Sequence, residues 1–300
     1  MPIDNMKESK PKISIIILNW NQKDLTVACL SSLLKVDYSN YEVIVIDNVS
    51  TDDSCEAIKK HFPTVRLIKS EKNLGITDSR NIGVDHALSR SADYIMFLDN
   101  DTNVHKDILT ELIFELEKDH RIAAATPKIY CFDDRNRIWA MGGYMNFYKG
   151  RVSLLGYKEM DLGQYDSSRT IEIDHAIGCC LMIRSRVIRK IGKLDTDSYY
   201  GEDTEFCIRA QRAGYKIVAI PKAIMWHMES YSWADNKNLK YIRSKSVLGL
   251  MRKHAKFHHW SVFCFYALFS IIKILASEGT KGDFKTTLSR IKGAFDGMQT

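Results

Sequence analysis

The chain has 300 residues, 45% of them hydrophobic, with five prolines and a formal net charge of +6; this excludes a disordered or fibrous chain and suits one large domain or a domain with an appendage. Seven cysteines are scattered, odd in number and never arranged as C-x-x-C, which argues against a disulfide framework and a zinc site. The opening "MPIDNMKESKPK" has no apolar h-region, so neither a signal peptide nor an N-terminal anchor is expected, and the expected compartment is the cytoplasm.

Residues 1–11 read as a flexible start. "KISIIILNW" then predicts a buried strand, and "DLTVACLSSLLK" a helix capped at Asn21. "YEVIVIDN" is a second strand, and "TDDSCEAIKKHF" a helix with Thr51 or Asp52 near its N-cap and acids in its first turn. "VRLIKS", the helical "DSRNIGVDHALSR" and the strand "YIMFLDND" continue the alternation. Strands alternating with helices imply crossover connections and a largely parallel sheet.

Ligands of such sheets collect beyond the carboxyl ends of the strands. Asn19, Asp47 and the Asp99, Asp101 pair of "FLDNDTN" each end a predicted strand, so they share one rim. Taken alone, the Asp-x-Asp triplet fits an acidic turn as well as a metal site. Neither G-x-G-x-x-G nor G-x-x-x-x-G-K-[ST] is present, which tells against a dinucleotide fold or a P-loop.

Further on, "YYGEDTEFCIRAQRAGY" contains Glu202, Asp203 and Glu205, acids that either open a helix ending at Gly214 or form a second acidic site. His227 in "IPKAIMWHMES" follows a predicted strand and fits a structural or a ligating role. Lys237, Lys240, Arg243, Lys245, Arg252, Lys253 and Lys256 then come with His254, His258 and His259 and no acid among them. After them, "WSVFCFYALFSIIKILA" is too short and too interrupted, by Lys273, for a membrane span, which needs about 20 apolar residues. The pattern suits a helix on an anionic membrane surface, or a docked core or dimer helix. A nucleic-acid partner is not expected.

The ordered set "IIILNWN", "VIVIDNVSTD", "NLGITDSRNIG", "FLDND", "AIGCCLMIRSRVIRKIGKLD", "YGEDTEF", "RAGY" and "WH" closely resembles the family 2 glycosyltransferases of the GT-A fold, in particular their rhamnosyltransferase-like, non-processive members. The resemblance spans 12–233. It implies an α/β fold, a Rossmann-like and mostly parallel sheet flanked by helices, with a nucleotide-binding half at 12–103, an acceptor and catalytic half at 104–233, and a basic, aromatic helical extension at 234–300.

By that resemblance Asp47 binds the donor's pyrimidine ring, because a carboxylate can accept the ring N–H of uracil or thymine. Asn19 would line the base and ribose pocket, and Gly75 would let the chain approach the donor. Arg80 would face the diphosphate or sugar, with a surface ion pair as the competing role. Asp101 would ligate a divalent cation, with Asp99 touching ribose, sugar or the metal through water and His227 as a further ligand. Mn²⁺ or Mg²⁺ is implied, and an imidazole shifts the preference toward Mn²⁺. Asp203 stands where the family has its catalytic base for an inverting displacement, with Glu202 supporting it or holding the acceptor. Asp174 falls where relatives bring an acid or aromatic near the sugar.

Two departures from the pattern matter. Processive members carry Q-x-x-R-W where this chain reads "AQRAGYKIV", which implies transfer of a single sugar. Val49 stands where many relatives have a small or polar residue. The expected partners are a UDP- or dTDP-sugar, with rhamnose favoured, and a saccharide acceptor, lipid-linked and destined for a cell-surface polysaccharide. Contact with the inner membrane face through 237–276 and a homodimer are further expectations. The segment 141–163 forms either an aromatic acceptor wall or a packed insertion. Two rivals are an inactive sugar-nucleotide binding module and a nucleotidyltransferase; the latter needs a Gly-rich loop containing Arg where this chain has "NWNQKD".

Overall fold

The computed structural model describes residues 10–198, 200–228, 238–279 and 284–299. Along β1 (Ile13–Asn19), Ile13, Ile15 and Ile17 face one side of the sheet and Ile16 the other, and all are buried; a strand so covered on both faces is the mark of a helix-flanked sheet. α1 (Lys23–Leu33), β2 (Tyr41–Asp47), α2 (Ser54–His61), β3 (Arg66–Lys69), α3 (Gly75–Ser89) and β4 (Tyr94–Leu98) follow in alternation. Strands β3, β2, β1 and β4 lie side by side and parallel. The second half is less regular. It runs β5 (Thr102–Val104), α4 (Ile108–Lys118), β6 (Ile122–Cys131), β7 (Ile138–Ala140), β8 (Gly143–Asn146), β9 (Arg151–Leu154), β10 (Ile171–Ile173), β11 (Cys180–Arg184), α5 (Ser185–Ile191), α6 (Glu202–Arg212) and β12 (Lys216–His227). β11 enters antiparallel between β4 and β6, giving the order β10-β12-β6-β11-β4-β1-β2-β3.

Two apolar clusters sandwich the sheet. Ile13, Ile15 and Ile17 pack with Leu30 and Leu33 of α1, Ile58 of α2 and Leu112 of α4. On the other face Ile16, Ile44 and Phe97 meet Val84 and Ala87 of α3, Val187 of α5 and Phe206 of α6. The close approach of α3 to β1 depends on Gly83, where a Cβ would lie 2.6 Å from an Ile16 methyl. All seven cysteines are free, with Cys264 exposed and Cys131 partly so.

Two local expectations are corrected, and the expected acid near the N-cap of α2 is found at Asp52. Asn21 does not cap α1; it has φ of +52°, and its side chain accepts the Thr51 amide at 2.7 Å, tying the β1 and β2 loops together. α2 begins at Ser54, whose amide is accepted by Asp52 at 3.2 Å. His227 ends β12 instead of following it.

C-terminal to the sheet come α7 (Leu239–His254), α8 (Phe257–Gly279) and α9 (Phe284–Gln299). α9 lies directly on α7, because Gly293 and Gly297 leave no side chain between the helices: a Cβ on either would stand 2.2 Å from the Tyr241 or Lys245 carbonyl oxygen. α7 is fastened to the sheet domain by Lys253 to Asp195 at 2.6 Å and by His254 to Glu205 at 3.1 Å. Among the described residues, no helix is long and apolar enough to cross a membrane. The expected boundary at 233 and the start of the basic run at Lys237 lie outside the described residues.

Gly83→Ala will crowd Ile16 and lower stability by about 1–3 kcal/mol, read from the urea midpoint, as overpacking does elsewhere in tight cores.

Candidate active site

At the carboxyl end of the sheet, register places Asn19 beside Asp47. Asn19 Nδ2 donates to Asp47 Oδ1 at 2.8 Å and to Ser50 Oγ at 2.9 Å, and the Ser50 amide donates to Asp47 Oδ2 at 3.1 Å. Burial opposes ionisation of Asp47, but these hydrogen bonds from Ser50 and Asn19 outweigh it and hold the carboxyl below its ordinary range. Asn19 is oriented in turn by Thr26, whose hydroxyl donates to Asn19 Oδ1 at 2.7 Å and accepts from Asn100 at 2.9 Å. The intervening Val49 has φ of +65° and is exposed, a backbone state that a β-branched residue adopts only under strain. Asn48 accepts the Leu74 amide at 2.9 Å and donates to Asn73 at 2.8 Å. This anchors the turn in which Gly75, at φ of +74°, opens α3.

β5 is short, yet it brings the second carboxylate to the histidine. Its antiparallel pairing with the end of β12 sets Thr102 opposite His227, and the Met228 amide donates to the Asp101 carbonyl at 2.9 Å. His227 Nε2 then lies 3.2 Å from Asp101 Oδ1. One ligand atom each from Asp99, Asp101 and His227 falls within 4.8 Å of the others, a spacing and a set of donors that a single divalent ion can bridge. Trp139 packs edge-on against the His227 ring at 4.9 Å. Burial raises the Asp99 carboxyl above its usual value, and the Asp101 charge adds to the rise.

Arg80 is not on the surface. Its guanidinium is buried, with Nη1 on Glu202 at 2.9 Å and Nη2 on both Asp99, at 2.8 Å, and the Gly178 carbonyl, at 2.9 Å. Glu202 and Asp203 open α6 after Gly201, which has φ of +104°. Asp203 Oδ2 accepts the Gly178 amide at 2.8 Å and Oδ1 accepts the Thr204 amide at 2.6 Å; a carboxylate has lone pairs left for another donor. Burial, followed by the Asp203 charge, pushes Glu202 up to about 7 against the lowering effect of Arg80.

Asp174 accepts the Met145 amide at 3.0 Å and Gln211 Nε2 at 3.2 Å, which clasps the β8–β9 hairpin to α6. In the 141–163 segment, Phe147 stacks on His259 at 5.2 Å and Gly150 abuts Phe263, while Tyr144, Tyr148 and Tyr157 are exposed. Several contributors carried no signal of their own in the sequence. Gly178 supports Asp203 and Arg80 through its backbone, and a Cβ there would come within 3.0 Å of both side chains. His175 meets the Thr204 hydroxyl at 3.0 Å. Ser50, Thr26 and Asn100 are hydrogen-bond intermediaries that read as ordinary loop and helix residues.

A parallel-centred sheet with a hydrogen-bonded carboxylate, an Asp-x-Asp cluster and a second acidic pair at one rim is the plan of the GT-A fold. The mannosyltransferase PcManGT from Pyrobaculum calidifontis, solved in complex with GDP-Man and Mn2+, superposes with a TM-score of 0.60 at 14% identity, over 97% of this chain and 88% of that one. The family model for glycosyl transferase family 2 matches residues 14–192, and the chain belongs to that family of glycosyltransferases. It is 24% identical over 253 residues to the amylovoran biosynthesis glycosyltransferase AmsB of Erwinia amylovora, covering 80% of this chain and 78% of that one. Against the poly-beta-1,6-N-acetyl-D-glucosamine synthase of Staphylococcus epidermidis it is 25% identical over 221 residues, which is 71% of this chain but only 49% of the synthase.

Arg80→Ala will leave the buried Glu202 and the half-exposed Asp99 without their shared cation and lower stability by about 3–5 kcal/mol in urea titration, the cost of breaking a buried pair. The Glu202 carboxyl will give stability an unusual pH dependence. In the fold it keeps its proton up to about pH 7, whereas its ordinary value is 4.5; between these values the folded state binds more protons, so this contribution declines as pH rises. Glu202→Gln will flatten that slope in denaturation followed from pH 4 to 8.

Proposed function

We propose that this glycosyltransferase moves one sugar, with inversion, from a UDP- or dTDP-sugar to a lipid-linked saccharide acceptor at the inner membrane face, and that it requires Mn²⁺ or Mg²⁺. Rhamnose is the favoured sugar, on the motif resemblance. The observation that carries the reading is the convergence of Asp99, Asp101 and His227 with the Glu202, Asp203 pair across one buried arginine. We take 12–103 as the donor half, 104–233 as the acceptor half and 234–300 as the extension.

Asp47, ionised and held by Asn19 and Ser50, accepts the ring N–H of the pyrimidine. Gly75 permits the main chain to approach the donor, and Asp99 reaches its ribose or sugar. Asp101 and His227 would hold the divalent cation directly; when bound, it neutralises the charge that develops on the departing diphosphate. Asp203 accepts the proton of the acceptor hydroxyl as that oxygen attacks the anomeric carbon, and a single displacement with a single base inverts the configuration. Glu202 keeps Asp203 in place through the start of α6. Arg80, whose guanidinium is engaged by Asp99 and Glu202, acts as a positioning residue between donor and base.

Nucleotide release from UDP-, dTDP- and GDP-sugars, with Mn²⁺, Mg²⁺ or EDTA and a crude lipid-linked acceptor, tests the proposal. One donor should be consumed only with metal. Asp203→Asn should lower kcat by about 10²–10⁴-fold with little change in donor KM, the usual loss for a general base. Asp101→Ala should abolish metal-dependent turnover. Absence of release from every donor would favour a binding module.

A further inference from the structure

The C-terminal helices are amphipathic the wrong way round for a water-soluble surface. On α8, Val262, Phe265, Leu268, Phe269 and Ile272 follow helical spacing along one face, and all are exposed, Phe265 by 78%. On α9, Leu288, Ile291, Phe295 and Met298 do the same, Phe295 by 64%. The opposite side of α9 is the glycine face that closes on α7, so the packing that seats α9 also turns its apolar stripe outward. Scattered apolar residues on a surface are ordinary, but two adjoining helices with continuous apolar stripes mark a contact face.

Cations border these stripes. A cleft of about 770 Å³ between α7, α9 and the loop at Thr196 is lined by Lys245, Lys292, Tyr241, Ser246 and Ser289, with Leu288 at its apolar side. The acid in the cleft, Asp197, is 3.5 Å from Lys253, and among the described residues neither Lys245 nor Lys292 has an acidic partner. Exposed Arg252 and Lys256 precede α8. A second copy meeting this face about a two-fold axis would set the same cations against each other. An anionic lipid leaflet supplies the missing charge and the apolar phase together.

We propose that the stripes of α8 and α9 form one docking face for an anionic phospholipid leaflet, with lipid phosphates taken by Lys245 and Lys292 in the α7–α9 cleft. Phe265 and Phe295 would enter the acyl boundary without any helix crossing it. The cleft also adjoins the active-site loop, since the Tyr200 amide donates to Ser246 Oγ at 3.2 Å. The inference deepens the membrane-face reading, but the binding it predicts is measured without donor or acceptor.

The full chain is sedimented with vesicles of phosphatidylcholine alone or mixed with phosphatidylglycerol. Binding should require the anionic lipid. Phe265→Glu with Phe295→Glu should weaken it more than about tenfold, and Lys245→Gln and Lys292→Gln about fivefold each. Metal-dependent hydrolysis of the donor by these variants should stay at the wild-type rate, which separates lipid docking from transfer chemistry. Hydrogen exchange on the wild-type chain supplies a check free of mutations: vesicles should protect α8 and α9. Equal binding to neutral vesicles, protection elsewhere, no binding to either vesicle, or a dimer dissolved by Phe295→Glu without lipid binding would each overturn the proposal.

Discussion

One buried guanidinium holds the two halves of the site in register. Arg80 reaches Asp99 at the end of β4 and Glu202 at the start of α6, and it closes the triangle on the Gly178 carbonyl. With Asp203 also nearby, three acids draw on one cation. Such an arrangement is not a source of net stability, since desolvating the charges offsets much of their attraction. What it provides is geometry: neither acidic strand end nor helix start can shift without leaving a buried charge uncompensated. A second set of contacts, from Asp47 through Asn19 and Thr26 to Asn100, ties the ends of β1 and β2 to the Asp99, Asp101 turn.

Both sets depend on the sheet beneath them. Parallel β1, β2 and β4 deliver Asn19, Asp47 and Asp99 to one edge, while antiparallel β11 delivers Gly178 there from the other direction. His227, at the end of β12, is set between Cys131 of β6 and Thr102 of β5. This topology brings residues 122 positions apart, Arg80 and Glu202, to hydrogen-bond distance.

The first half of the fold was legible because its strands are short, apolar and punctuated by polar ends, and periodicity reports such features directly. The reversed β11 was not, since a five-residue buried strand reads alike in either direction. Asp47, Asp99, Asp101, Glu202 and Asp203 stood out as acids at strand and helix ends. The true partners of Arg80 did not, because local sequence says nothing about a residue 122 positions away. Asp174 was singled out by its motif alone, and periodicity gave no sign of the hydrogen bonds it accepts from the Met145 amide and Gln211. The tail's basic and aromatic character was plain in the sequence. Which face of each helix looks outward was not, because it hinges on Gly293 and Gly297, two small residues whose meaning appears only when α7 lies against them.

Anomalous diffraction at the manganese edge, from crystals grown with UDP and Mn²⁺, tests the proposed metal and donor site most directly. One strong peak is expected within coordination distance of Asp101 and His227, with the uracil against Asp47. A peak bound elsewhere, or UDP ordered at this rim with no metal beside Asp101, would contradict the proposal.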